Sequence, residues 1–369
     1  MYLETLRLIN FKNYQNIAFN FNQEINCLVG ENGVGKTNVL DAIYYLSLTK
    51  SFFNIADSDI ILHNESFFSI LGNFHKNDRS YNVKCKTQLN NKKSFSINGK
   101  DYDKMKDHIG VFPVVLISPN DTDIIRGTSE NRRKFIDSVI SQLDKVYLEN
   151  LIIYNHALKQ RNALLKQSDD KSNLDMDLVS HFDHILVKTG NLIHIARTKF
   201  IDRLTPVLKR LYGDISDHKE SIDIIYHSDL KEDEFVKLLE RSRSRDILFG
   251  RTTKGIHKDD YRLEIDGYPM KRYASQGQQK SLIVSLKIAQ FEILREENRY
   301  KPILLMDDVF DKLDDQRIEK IMNLVAGHTF GQIFVTDARP ERTLSIFESI
   351  QSDICIYHIQ DGKAQSLLS

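Results

Sequence analysis

The sequence predicts an α/β fold in three parts: a mixed sheet with a glycine-rich loop and its helix, an antiparallel sheet, and an inserted all-helical lobe. Three observations lead to this division. The run Ile25-Asn26-Cys27-Leu28-Val29 reads as a strand, stops at Gly30, and gives way to Val39, Leu40, Ile43 and Leu46 at helical spacing. The middle of the chain keeps a three-to-four residue apolar period over long stretches. The last third alternates helical text with short apolar strands, as α/β proteins do.

At the start, Leu6 and Leu8 alternate with Thr5 and Arg7, and Phe19 and Phe21 follow a polar turn. Between Phe67 and Asp101, short apolar stretches are broken by Asn90-Asn91 and Asn98-Gly99, which are hairpin signals, so this region predicts an antiparallel sheet. These elements form the first part of the predicted head, residues 1–118. The helical insertion spans 119–246, where Phe135, Val139, Leu143, Tyr147, Leu151 and Tyr154 keep the period. Phe182, Ile185, Leu192, Ala196, Phe200 and Leu204 resume it after a polar break at 168–173. Thr205-Pro206 reads as an N-cap with Pro at the first helical position, so a new helix is expected there. The head returns over 247–369. Tyr261, Leu263 and Ile265 alternate and meet the turn Asp266-Gly267, and Ile303 to Met306 and Ile333 to Val335 read as buried strands.

A chain of 369 residues with 41% hydrophobic content can build a sizeable core. No window approaches the roughly 18 apolar residues of a membrane helix. Met1-Tyr2-Leu3-Glu4 lacks the basic opening of a signal peptide, so the cytoplasm is the expected location. Cys27, Cys85 and Cys355 are odd in number and far apart, in apolar strand-like runs or a polar loop, which argues against a disulfide or zinc framework. Basic and acidic residues number 51 each, so net charge names no partner and any nucleic-acid binding must come from local patches.

The chemistry begins at Gly30-Glu31-Asn32-Gly33-Val34-Gly35-Lys36-Thr37, which matches G-x-x-x-x-G-K-[ST] and stands between a strand and a helix, where that motif must stand. Its glycines let backbone N–H groups close around phosphates, and the helix N-terminus adds partial positive charge. Lys36 would reach the β- and γ-oxygens of ATP, Thr37 would hold Mg²⁺, and Asn38 is expected among the ATP-binding residues. Ile303-Leu304-Leu305-Met306-Asp307-Asp308 is an apolar strand ending in two carboxylates. Asp307 would hold Mg²⁺ through water, and Asp308 would orient or deprotonate the attacking water. Strands also end in Asp for capping reasons, so this run carries weight only with its context.

Ser275-Gln276-Gly277-Gln278-Gln279 precedes an apolar helix. A hydroxyl, a glycine N–H and a helix N-terminus make an anion site, and the same residues could equally be an ordinary N-cap. The order of the three segments decides: P-loop, then this segment, then the Asp-Asp strand, is the order in ATPase heads of the ABC class. There the signature of one subunit covers the γ-phosphate held by another, so ATP would be enclosed only in a homodimer. Leu313 and Asp314, within Val309 to Arg317, resemble the D-loop of that class. Thr336-Asp337 stands where such heads often carry a switch histidine, His328 precedes that strand, and Ser118-Pro119-Asn120-Asp121 replaces a Q-loop glutamine. Both departures predict slow hydrolysis.

More local strings sharpen the class. Leu8-Ile9-Asn10-Phe11-Lys12-Asn13-Tyr14, Ile117-Ser118-Pro119 leading to Gly127, and Arg132-Arg133-Lys134-Phe135-Ile136-Asp137 are three of them. Gly255-Ile256-His257-Lys258-Asp259-Asp260 and Ser275 to Lys280 are two more. With them the chain resembles, over nearly its whole length, the RecF family of bacterial recombination mediators, head-only relatives of the SMC-type repair ATPases. Lys12 and Lys258 stand where that family more often has Arg, and Ile256 where it has Pro. The resemblance implies a weak ATPase that dimerises on ATP, binds gapped DNA at single-strand/double-strand junctions, and promotes RecA loading with RecO and RecR.

For DNA, the densest basic clusters are Arg132-Arg133-Lys134 and Arg241, Arg243, Arg245 with Arg251. Charge without interleaved aromatics suits phosphates rather than bases, and a solvated helix face accounts for each cluster equally well. Residues two apart point away from each other on a helix, so only Arg241 and Arg245 could act together there. An energising subunit of a membrane transporter is the alternative, opposed by Asp308 in place of Glu and by the local strings above. A full SMC arm is excluded, because no long heptad array lies between Lys36 and Ser275.

Overall fold

The computed structural model describes residues 1–167, 174–298, 300–309, 330–339, 353–360 and 362–368. They fall into two compact units, Met1–Asp121 with Lys280–Ser369, and Thr122–Gln279.

The first unit holds two six-stranded sheets. In one, the strand Ile25–Val29 lies between Ile333–Asp337 and Ile354–Gln360; Ile303–Asp307 and Val114–Ile117 continue it on one side and Lys363–Leu368 closes the other. All pairings are parallel except the last. Ile25–Val29, Ile303–Asp307 and Ile333–Asp337 are buried at every position, as expected of parallel strands covered on both faces.

The other sheet is antiparallel, in the order Tyr14–Asn20, Tyr2–Phe11, Phe67–Lys76, Arg79–Gln88, Ser94–Ile97, Lys100–Asp101. The first two strands join the sheet predicted for 67–101, and the predicted turn Asn98-Gly99 has positive φ at both residues, 50° and 78°, as a type I′ hairpin requires. Asn77 and Asp78, with φ of 51° and 59°, make a second such turn between Phe67–Lys76 and Arg79–Gln88. Cys85 lies on a strand of this sheet rather than in a polar loop, and all three cysteines are buried free thiols.

The helix Lys36–Leu48 packs against strands of both sheets, and so is buried beyond the single stripe its periodicity suggests. Leu40, Ile43 and Leu46 are almost wholly enclosed, which stabilises the fold by about 1.5–3 kcal/mol per side chain. Gln332 ties the sheets together: its amide accepts the Leu3 N–H at 2.7 Å and donates to Leu3 O at 2.8 Å.

The second unit is not all helical. It carries the three-stranded antiparallel sheet Tyr268–Pro269, Asp260–Ile265, Ile222–His227 beside its helices, and its contacts draw in residues 247–279. The period from Phe135 to Tyr154 belongs to two helices, Ser129–Leu143 and Lys145–Gln167, because Asp144 turns extended and its carboxylate accepts the N–H groups of Val146 and Tyr147. The restart expected at Thr205-Pro206 is absent: one helix runs Met176–Ser216 through the proline. Thr205 Oγ1 donates back to Ile201 O at 2.8 Å instead of capping forward.

The polar core of this unit explains the family-specific strings. Arg197, about 1% exposed, bonds Asp137, Asp259 and Ile256 O, while Tyr147 and Tyr226 donate to the same two carboxylates. Arg161 is enclosed by Asp183, Asp246 and Thr252 at 2.6–2.8 Å. Gly255 has φ +126°, and a Cβ there would fall 2.7 Å from the Phe235 ring and the Tyr154 hydroxyl. The strings Arg132–Asp137 and Gly255–Asp260 are thus two sides of one buried network.

Candidate nucleotide site

The P-loop turns on three glycines with φ of +144°, +86° and +111° at positions 30, 33 and 35. A Cβ on Gly30 would lie 2.3 Å from Ile359 O, and one on Gly35 would lie 2.4 Å from Asn13 Nδ2 and 2.9 Å from the Tyr14 hydroxyl. Glycine is therefore required at 30 and 35 by space as well as by backbone angle. Glu31, Asn32 and Gly33 form the exposed crest of the loop, with Val34 half-buried behind it. The turn between the first two strands braces it. Asn13 donates to Val34 O at 2.9 Å and accepts from Asn38 Nδ2 at 2.8 Å, while Tyr14 donates to Gly35 O at 3.1 Å. Lys12 reaches Asp41 of the following helix at 2.7 Å, and Asp41 also accepts from Ser51 and the Phe52 N–H. The string Lys12-Asn13-Tyr14 stood out in the sequence, but nothing local showed that it meets the P-loop.

Lys36 Nζ donates to Gly30 O at 2.7 Å and Glu31 O at 2.8 Å. Burial pushes its ammonium below the ordinary lysine value, while Asp308, Asp307 and Asp337 pull it back up. The Walker B segment, Ile303 to Asp308, belongs to the same sheet as the strand Ile25–Val29, with Ile333–Asp337 between the two. Thr37 Oγ1 donates to Asp307 Oδ1 at 2.7 Å across 270 positions, and Thr336 Oγ1 donates to the same oxygen at 2.8 Å. Asp308 leaves the strand in the left-handed region, φ +48°, with its N–H on Thr336 Oγ1 at 3.0 Å.

A hydroxyl and a carboxylate oxygen side by side, Thr37 Oγ1 and Asp307 Oδ1, beside a loop of backbone donors, are oxygen ligands of the kind that would hold Mg²⁺ next to a nucleotide's phosphates. The residues therefore fit ATP with Mg²⁺. A magnesium ion held by Thr37 and Asp307 would supply positive charge against that of the phosphates.

Thr336 stands where ABC-class heads often carry a histidine, and nothing in its neighbours in the sequence shows that it meets Asp307. Asp337, buried beside it, accepts the Arg339 N–H at 2.9 Å. In Ser118-Pro119-Asn120-Asp121, at the place of a Q-loop glutamine, Asp121 accepts the Ser118 N–H and pairs with Lys287, both at 2.7 Å. His328, Leu313 and Asp314 lie outside the described residues.

Ser275 belongs to the second unit and opens the helix Gln276–Asn298. Its Oγ accepts the Gln278 N–H at 3.2 Å, and Gln278 Oε1 accepts the Ser275 N–H at 2.6 Å, a reciprocal capping box. Gln278 also donates to Glu220, and Gln279 accepts from Arg126. Ser275 and Gln276 stay exposed, with Gly277 half-exposed beside them.

Most side chains of the basic clusters are engaged, whereas Arg251 is exposed and makes no side-chain hydrogen bond or ion pair among the described residues. Arg132 grips Asp260 with two bonds, 2.7 and 3.1 Å, Arg133 donates to Asp259 O at 2.6 Å, and Lys134 pairs with Glu130. The segment with Arg241 and Arg245 is helical, Phe235–Phe249; Arg241 pairs with Asp233, Arg243 with Asp183, and the Arg245 guanidinium lies over the Phe249 ring.

Comparison with known proteins agrees with this geometry. The family model for the RecF/RecN/SMC N terminal domain matches residues 2–363. The chain is 44% identical to the DNA replication and repair protein RecF of Cytophaga hutchinsonii, over 99% of this chain and 97% of that one. It is 45% identical to that of Flavobacterium johnsoniae, over 97% and 100%. A solved structure of the recombination mediator protein RecF-ATP in the RecFOR pathway superposes with a TM-score of 0.89 at 31% identity, covering 99% of this chain and 97% of that one. The Smc head domain of Pyrococcus furiosus, at 17% identity and TM-score 0.59, shares the ABC-type fold. Among the described residues no helix is long and apolar enough to cross a membrane. Over its full span, then, this chain belongs to the family of the DNA replication and repair protein RecF.

Proposed function

We propose that this protein is an ATP-gated DNA clamp of recombinational repair, acting in the cytoplasm. It binds ATP and Mg²⁺ in the monomer and dimerises when Ser275, Gln276, Gly277 and Gln278 of a second copy cover the γ-phosphate. The dimer holds gapped DNA at a single-strand/double-strand junction and, with RecO and RecR, promotes RecA loading. Hydrolysis is slow, with Asp308 orienting the water and Lys36 stabilising the charge on the γ-phosphate, and it releases the clamp.

The observation that carries this reading is the meeting of Thr37 with Asp307 at 2.7 Å, which joins the P-loop to the Walker B strand. The RecF-ATP relative of the RecFOR pathway supports the nucleotide and the partners. The exposure of Ser275 and Gln276 supports the signature role, because the capping box uses the Gln278 N–H and leaves those of Gln276 and Gly277 to an anion. Light scattering with ATP, ADP or no nucleotide, with and without gapped duplex, on wild type and Lys36→Met, tests it. Dimers only with ATP and only in wild type are expected; a monomer under every condition sinks the clamp.

A further inference from the structure

We propose that the exposed pair Tyr268 and Tyr273, with Lys271 and Arg272 between them, is a docking site for the unpaired strand of nucleic acid. The proposal rests on the DNA-clamp reading and assigns it a surface.

Tyr268 and Tyr273 are 57% and 63% exposed, yet they are not scattered: their ring centroids lie 5.1 Å apart. Large aromatic rings left in water beside one another are unusual, and they offer the flat π-faces on which successive bases stack. Their setting is rigid. The turn Asp266-Gly267 has φ of 49° and 79°, and Asp266 is tied twice to Ser221, through its N–H to Ser221 O at 2.7 Å and its carboxylate to the Ser221 N–H at 2.8 Å. Met270, fully buried, anchors the short helix Met270–Tyr273, and so the three residues after it face outward.

The charges separate this patch from Arg132, Arg133, Lys134, Arg241 and Arg243. Arg132, Arg133, Lys134 and Arg241 each have a carboxylate or carbonyl partner. Lys271 and Arg272 are exposed and have neither a hydrogen bond nor an ion pair among the described residues. Two unbalanced cations between two aromatic rings are the combination that non-specific single-strand binding uses: cations for the phosphates, rings for the bases. The same chemistry argues against this patch pairing with its own image across a two-fold axis, which would set Lys271 and Arg272 against like charges.

Fluorescence anisotropy with a labelled oligothymidylate, a blunt duplex and a gapped duplex tests the assignment. Tyr268→Ala/Tyr273→Ala is expected to weaken oligothymidylate binding at least about fivefold while leaving blunt duplex unchanged. Tyr268→Phe/Tyr273→Phe keeps the rings and is expected to bind as wild type, which separates lost stacking from a lost fold. Lys271→Ala/Arg272→Ala should flatten the log affinity against log salt slope by about 1.4, the value for two phosphates on a single strand. If wild type binds gapped duplex and every variant binds oligothymidylate equally well, the site assignment is wrong. Loss of ATP-dependent dimers with DNA binding intact would make the patch a self-interface and overturn it as well. A wild type that binds no nucleic acid removes the clamp reading and this site with it.

Discussion

Thr336 Oγ1 donates to Asp307 Oδ1 at 2.8 Å and accepts the Asp308 N–H at 3.0 Å, so a single hydroxyl on the adjacent parallel strand holds both Walker B carboxylate residues. Through Asp308 it also helps keep a non-glycine residue in the left-handed region, φ +48°, where L side chains are strained. Thr336→Val keeps the shape and removes both bonds. Hydrolysis should fall about 10–100-fold with nucleotide affinity little changed, as for other groups that orient a metal-binding carboxylate. Thr336→Ser should restore most of the rate. Single-turnover hydrolysis with a parallel ATP titration reads both quantities, and an unchanged rate in Thr336→Val would show that the strand alone fixes Asp308.

Ser275 separates two roles by charge. As an N-cap, it should cost about 0.5–2 kcal/mol when changed to Ala and almost nothing when changed to Asp, because Asp caps equally well. As part of an anion site, Asp is the worse change, since it sets a carboxylate against the γ-phosphate. Thermal melting of Ser275→Ala and Ser275→Asp beside ATP-dependent dimerisation resolves the two. Retained stability with lost dimers in Ser275→Asp is expected.

Arg197 should be a folding residue and not a DNA contact. Replacing it with Met strands Asp137 and Asp259 without their cation, and breaking a buried pair in this way costs about 3–5 kcal/mol. Urea denaturation of the purified variant is the measurement. DNA affinity per folded molecule should not change.

Two buried histidines make the fold acid-sensitive. Burial lowers His108 and His257 from about 6.5 to about 4, the first held by Leu46 O at 2.7 Å and the second by Tyr154 and Thr252 O. Both are neutral when folded, so below about pH 6.5 the unfolded chain binds protons that the native chain does not. Their contribution is whole above that pH and declines as pH falls toward 4. At pH 5 each should cost roughly 2 kcal/mol relative to pH 7.5. Urea midpoints measured across this range should fall with acid, and less steeply in His108→Gln if that variant folds.

The sequence alone determined the P-loop, because its constraint is local: glycine is needed where φ is positive, and a strand must lead in and a helix lead out. It also determined the hairpin at Asn98-Gly99 and the buried character of Ile303–Asp307, since turn chemistry and unbroken apolar runs are written in neighbouring residues. Tertiary structure alone decided what each charged side chain meets. Asp307 and Thr336 become partners only because their strands pair in parallel, and Arg132 finds Asp260 across 128 positions. Periodicity carries no record of strand order or of which carboxylate faces which guanidinium, so only the structure shows that Arg132, Arg133, Arg241 and Arg243, weighed in the sequence as DNA contacts or as solvated charge, meet partners within the chain. The run through Pro206 has the same origin: an N-cap signal is a local preference, and the packing of a 41-residue helix outweighed it.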